Sequence, residues 1–104
     1  MNAEELFKKG NKLRDNNELE EARKIYQEVI DKNLGDELLR ADALHMMGLS
    51  FVMGDEKEEG VMVLQKAKEE FERLGEKMRV GAVLRDLGSV YKDKDKARKS
   101  LEES

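Results

Sequence analysis

The chain has 104 residues, 42% of them charged and 5% aromatic, with no Pro and no Cys. That length carries one continuous core rather than two, and the composition is that of a charge-laced helical protein. Its 20 basic and 24 acidic residues are interspersed and sum to −4, so no stretch offers the one-sided basic surface a phosphate backbone requires and nucleic acid is not an expected partner.

The absence of Cys excludes a disulfide framework, thiolate metal sites and a Cys nucleophile, and it fits a reducing compartment. The opening "MNAEEL" lacks the apolar core of a signal peptide, and the longest apolar run, Val61 to Leu64, is far short of a membrane span. A soluble, cytoplasmic chain with no membrane contact is expected.

Apolar spacing predicts helices near 3–15, 18–33, 36–53, 55–74 and 76–92, with a short sixth from about 95 to the end. The first carries "LFKKGNKL". The second buries Leu19, Ala22, Ile25, Tyr26, Val29 and Ile30, and it is preceded by Asn17 with Glu20 at capping-box spacing. Gly35 follows "DKNL" as an expected C-cap. The third carries "LHMMGLSF" and runs into the turn "MGDEKEEG". In the fourth, Asp55 with Glu58 repeats the capping-box spacing, Leu64, Ala67, Phe71 and Leu74 form the apolar stripe, and Gly75 follows "FERL" as the C-cap. The fifth carries "LRDLGSVY". The sixth, "KARKSLEES", offers only Ala97 and Leu101 as apolar contacts and reads as a polar terminal cap or a fraying end.

Three of these segments repeat one arrangement, in which Leu, then Gly four residues on, then a large apolar residue three further share a helix face. Gly10, Gly48 and Gly88 are 38 and 40 residues apart. A glycine inside a helix costs roughly 0.5–1 kcal/mol relative to Ala, so its recurrence calls for close approach of a paired helix. Gly10 is expected to face Ala22, and Gly48 to face Gly60. The unit is a helical hairpin, giving one domain over 1–104 with units near 3–35, 36–75 and 76–104.

No residues assemble an active site. His45 is the only histidine and its i+4 neighbour is Leu49, which leaves no ligand set for zinc. Asp93 and Asp95 lie in a lysine-alternating stretch without the Gly and Glu of a calcium loop and read as a solvated turn. Ser50, Ser89, Ser100 and Ser104 have no base beside them in the pattern. No enzyme activity, cofactor or metal is expected.

The residues Leu6, Gly10, Leu13, Ala22, Tyr26 and Val29, then Leu44, Met47, Gly48, Phe51, Gly60, Leu64 and Ala67, then Leu84, Leu87, Gly88, Tyr91 and Ala97 resemble the tetratricopeptide repeat family. The spacing is similar to the longer repeats of kinesin light chains and signalling adaptors. Leu34 stands where the family usually has Pro, and the third turn, from Tyr91 to Ala97, is shorter than the first two. The resemblance implies an all-α fold, a right-handed α-solenoid of three antiparallel helix pairs. It implies a protein–protein interaction module that binds a peptide or helix in a concave groove lined by the first helix of each unit.

The groove residues so implied are Phe7, Asn11 and Arg14, then His45, Met46, Leu49 and Met53, then Arg85 and Ser89, with Asp42, Val52 and Asp86 among their neighbours. The family's carboxylate clamp for chaperone tails is not expected, because only Asn11 matches it and Phe7, Met46, Ala82 and Asp86 occupy the other places. Met46, Leu49, Val52 and Met53 give the third helix a second apolar stripe. Either the hairpins on both sides bury it, or it lines a partner groove, or it sits in a dimer interface. The alternative to a groove is a self-associating or structural repeat module, or part of a longer array, with a thinly covered C-terminal hairpin through which a homodimer would form.

Overall fold

The structure, a computed structural model, describes residues 2–32 and 36–103, with side chains up to residue 92. The described residues form five helices: α1 (Ala3–Asp15), α2 (Leu19–Asp31), α3 (Glu37–Met53), α4 (Lys57–Arg73) and α5 (Lys77–Glu103). The expectations for Leu34 and Gly35 lie outside the described residues.

Two of the helices begin on side-chain caps. Asn2 Oδ1 accepts from Glu5 N–H at 2.9 Å and Asp36 Oδ1 accepts from Leu39 N–H at 2.8 Å, each satisfying a backbone donor that the first turn leaves free. The capping boxes expected at Asn17 and Asp55 do not form. Both residues are instead left-handed, with φ of 64°, and end the preceding helices. Asn17 N–H donates to Arg14 C=O at 2.9 Å and Glu18 N–H to Leu13 C=O at 2.8 Å, while Asp55 and Glu56 donate to Val52 and Phe51 in the same way. A third copy of this ending carries Gly75 at φ 73°, as the C-cap reading of that glycine requires. The side chains of Asn and Asp suit either role, a helix start or a left-handed stop, and here the orphan carbonyls of the preceding helix claim them. Gly54 does not supply the left-handed residue of its Gly-Asp turn, because Asp55 does.

The hairpins close through glycine. A β-carbon on Gly48 would lie 2.8 Å from Leu64 Cγ, and one on Gly60 would lie 2.5 Å from Val52 Cγ2 and 3.1 Å from the Gly48 carbonyl oxygen. Residue 48 thus meets 64 while 52 meets 60, so α3 and α4 run in opposite senses with their backbones nearly touching. In the first hairpin the atoms nearest Gly10 are those of the Tyr26 ring, at 2.7 Å from a β-carbon placed there, rather than Ala22 as expected.

Two apolar clusters fill the interior. One joins Leu6 of α1, Ala22, Tyr26 and Val29 of α2, and Ala43 and Met47 of α3. The other joins Ala41 of α3, Leu64, Ala67 and Phe71 of α4, and Val83 and Leu87 of α5. Leu44 packs against both. A cation adds to the seam between α2 and α3, where the Arg23 guanidinium sits 4.5 Å above the Phe51 ring centre.

The C-terminal third departs from expectation. No turn interrupts residues 92–96 and no sixth helix folds back: α5 continues unbroken to Glu103, so Asp93 and Asp95 lie within a helix and the third antiparallel pair is not formed. The stretch "KDKDKARK" holds no Gly, Pro or Asn that would stop a helix. The side chains of Ala97 and Leu101 lie outside those described. The register of α5 follows from this. Val83, Leu87 and Val90 are buried against the stack, whereas Leu84 is 50% exposed and Tyr91 46%, the reverse of the face the repeated motif marks for burial.

Candidate binding face

The expected groove residues stand on three helices whose faces adjoin, since α1 touches α3 and α3 touches α5. On α1, Phe7, Asn11 and Arg14 are spaced four and three residues apart and share a stripe. Phe7 is half-buried, its ring tilted on Tyr26 with centroids 5.9 Å apart. Asn11 Oδ1 accepts the Tyr26 hydroxyl proton at 2.6 Å. Burial pushes the Tyr26 phenol up to about 12, with Arg14 pulling it down and Asp15 pushing it up by less. Arg14 reaches across to α3, where its guanidinium meets Met46 Sδ.

On α3, Met46, Leu49 and Met53 form the matching stripe. Met46 and Leu49 are half-buried, and Met53 is 52% exposed. Val52 does not belong to the groove: it is the residue that Gly60 admits at the α3–α4 crossing. His45 is buried at 7% exposure, edge-on to Phe71, with Nε2 2.7 Å from Asp86 Oδ2 on α5. It therefore ties α3 to α5. A second tie lies one turn earlier on α3, where Arg79 Nε donates to Asp42 Oδ1 at 2.9 Å. The hydrogen bond to Asp42 is the main cause that raises the Arg79 guanidinium above its ordinary value. Arg85 and Ser89 are exposed on α5.

The structure thus brings Arg14 to Met46 and gives His45 and Asn11 internal partners, Asp86 and Tyr26. Met53, Arg85 and Ser89 keep their side chains in solvent. Among the described residues, two depressions lie away from that stripe. One of about 610 Å³ opens between the starts of α1 and α3, beside Ala3, Asp36, Leu39 and Asp42, and another lies beside Ile30, Arg40, Leu44 and Arg73. Sequence periodicity did not mark either one, since both are formed between residues of different helices rather than along one. Among the described residues, no group of three or more His, Asp or Glu side chains could hold a metal ion.

Residues 42–77, which run from the Asp42 turn of α3 through α4, match the family model described as Tetratricopeptide repeat. Residues 42–77 are a tetratricopeptide repeat. The Gly48–Leu64 and Val52–Gly60 contacts are the inner seam of that repeat, and Asp55 forms its turn. Outside it, the 38-residue offset carries the same roles into α1 and α2: Gly48 answers to Gly10, Leu64 to Tyr26 and Asp55 to Asn17. Tetratricopeptide repeats mediate protein–protein interaction and are typically non-enzymatic. No curated protein and no solved structure gives a significant match to the chain. Among the described residues, no helix is long and apolar enough to cross a membrane.

Proposed function

We propose that the chain is an interaction module that holds a peptide or helix of another protein along the stripe of α1 and α3 comprising Asn11, Arg14, Met46, Leu49 and Met53, with Arg85 and Ser89 of α5 at its border. The observation that carries this reading is Met53, a large thioether left 52% exposed at the end of a stripe whose other members are half-covered. Methionine adapts its shape to an apolar partner, and burying one such side chain is worth about 1.5–3 kcal/mol, so two or three together support micromolar binding after association costs. Phe7 and His45 act beneath the stripe, the first by packing on Tyr26 and the second by fixing α5 through Asp86.

A photo-crosslinking side chain placed at Met53, in cells of the native host, is expected to capture a discrete partner. The same group at Met62, which is equally exposed on α4, is expected not to. Capture that Leu49→Glu abolishes, with the melting temperature retained, supports the reading. Equal capture from both positions overturns it.

A further inference from the structure

We propose that the face of α5 bearing Gly81, Leu84, Gly88 and Tyr91 is a second docking surface, and that its occupant is an acidic amphipathic helix of another protein. Of the residues that form this face, none belongs to the α1–α3 stripe; Arg85 alone borders both.

The molecule shows what such a face is built to receive. Small residues seven apart recur three times, as Ala3 and Gly10, Ala41 and Gly48, and Gly81 and Gly88. The first two pairs are buried, with Tyr26 of α2 over Gly10 and Leu64 of α4 over Gly48. Gly81 and Gly88 are both exposed, and among the described residues nothing comes within 4 Å of where a β-carbon would stand on either. Two glycines weaken the middle of a helix, and what offsets such a glycine in α1 and α3 is close packing of a second helix, the Tyr26 ring on Gly10 and Leu64 with its backbone nitrogen on Gly48. Leu84 and Tyr91 complete the face. The spacing of Gly81, Leu84, Gly88 and Tyr91 is three, four and three residues, the seam along which two helices interdigitate.

Charge selects the occupant. Lys77, Arg85 and Lys92 border the seam and are exposed. A second copy pairing α5 against α5 in antiparallel fashion would set Gly81 opposite Gly88. It would also set Lys77 opposite Lys92 and bring the two Arg85 side chains together at the axis, a repulsive arrangement in an apolar seam. An acidic helix with a small residue at the crossing and a large apolar one four residues later, the spacing of Ala22 to Tyr26 and Gly60 to Leu64, meets both the shape and the charge.

The probe is a labelled synthetic peptide with the sequence of residues 18–32, titrated into the full chain at low and high salt while amide shifts are followed. The expected result is saturable binding, weakened at least tenfold by salt, with shifts centred on Gly81, Leu84 and Gly88. Gly88→Leu fills open space on α5, so it should raise the melting temperature slightly through helix propensity and lower affinity tenfold or more, and Lys77→Glu should lower affinity tenfold or more with the melting temperature retained. Absence of binding at millimolar peptide, or shifts centred on Met46 and Met53 instead, overturns the proposal. So does a dimer in light scattering that Gly88→Leu dissolves, which would make a second copy the occupant. Contacts from residues beyond Lys92 onto Leu84 in the free chain would make the chain's own end the occupant and overturn it equally.

Discussion

Gly48 and Gly88 occupy the same place in two successive units, yet Leu64 presses on the first and nothing described comes within 4 Å of a β-carbon on the second. The same substitution therefore has opposite signs at the two sites. Gly48→Ala forces a β-carbon to within 2.8 Å of Leu64 Cγ and 3.1 Å of the Leu64 backbone nitrogen, atoms with no room to retreat. It should destabilise by about 1–3 kcal/mol. Gly88→Ala should stabilise by about 0.5–1 kcal/mol through helix propensity alone. Urea midpoints of the two variants check this, and changes of equal sign would refute the packing assignment.

Tyr26 makes stability sensitive to alkali. Its phenol is raised from an ordinary value of 10.0 to about 12 by burial. The folded state therefore holds the proton more tightly, and this contribution is fully present below about pH 10 and lost as pH rises through 12. The loss is on the order of 2–3 kcal/mol. Tyr26→Phe should flatten that part of the pH profile, at a neutral-pH cost of about 1 kcal/mol for the hydrogen bond to Asn11. Thermal melts of both proteins between pH 8 and 12 give the comparison.

The left-handed turns separate two readings of the same residue. If Asn17 and Asp55 end helices at φ 64°, glycine at either position relieves backbone strain and should stabilise by a few tenths of a kcal/mol to about 1, whereas alanine should cost about 1 kcal/mol. If they were N-caps, glycine would instead lose a few tenths. Chemical denaturation of the Gly and Ala variants at both sites reads the sign directly.

Met53 and Met47 test which side of α3 is core. Met47 is 8% exposed within the first cluster and Met53 is 52% exposed. Met47→Glu should cost several kcal/mol and unfold much of the population, because an unpaired carboxylate enters the interior. Met53→Glu should stay within about 0.5 kcal/mol of the parent. Far-UV circular dichroism and melting temperature distinguish the two outcomes.

The hairpin seams were legible in the sequence because the stripes of Leu64, Ala67 and Phe71 and of Tyr26 and Val29 repeat at helical spacing and are buried in the structure. Four helix spans were legible for the same reason. Asn17 and Asp55 misled because one short polar side chain serves both a helix start and a helix stop, and only the neighbouring carbonyls decide between them. The motif "LRDLGSVY" misled because its burial depends on a folded-back helix, and the lysine-alternating stretch that would have to turn continues the helix instead. On the candidate face, the stripes of α1 and α3 followed from periodicity. The engagement of His45 with Asp86 did not, since a contact between residues 41 apart depends on how α3 and α5 pack rather than on any local spacing.

Leu44, on the first helix of the second hairpin, touches both apolar clusters. The two cores therefore share a wall, and neither can lose its side chains without stripping one side of the other. In a stack of this kind most of the cooperativity resides in the joints between neighbours. Shaving that wall, as Leu44→Ala would do, should loosen the coupling more than it lowers either core's own stability. Calorimetry would then show one sharp heat absorption for the parent broadening into two overlapping ones, as though a single block had been sawn along its grain.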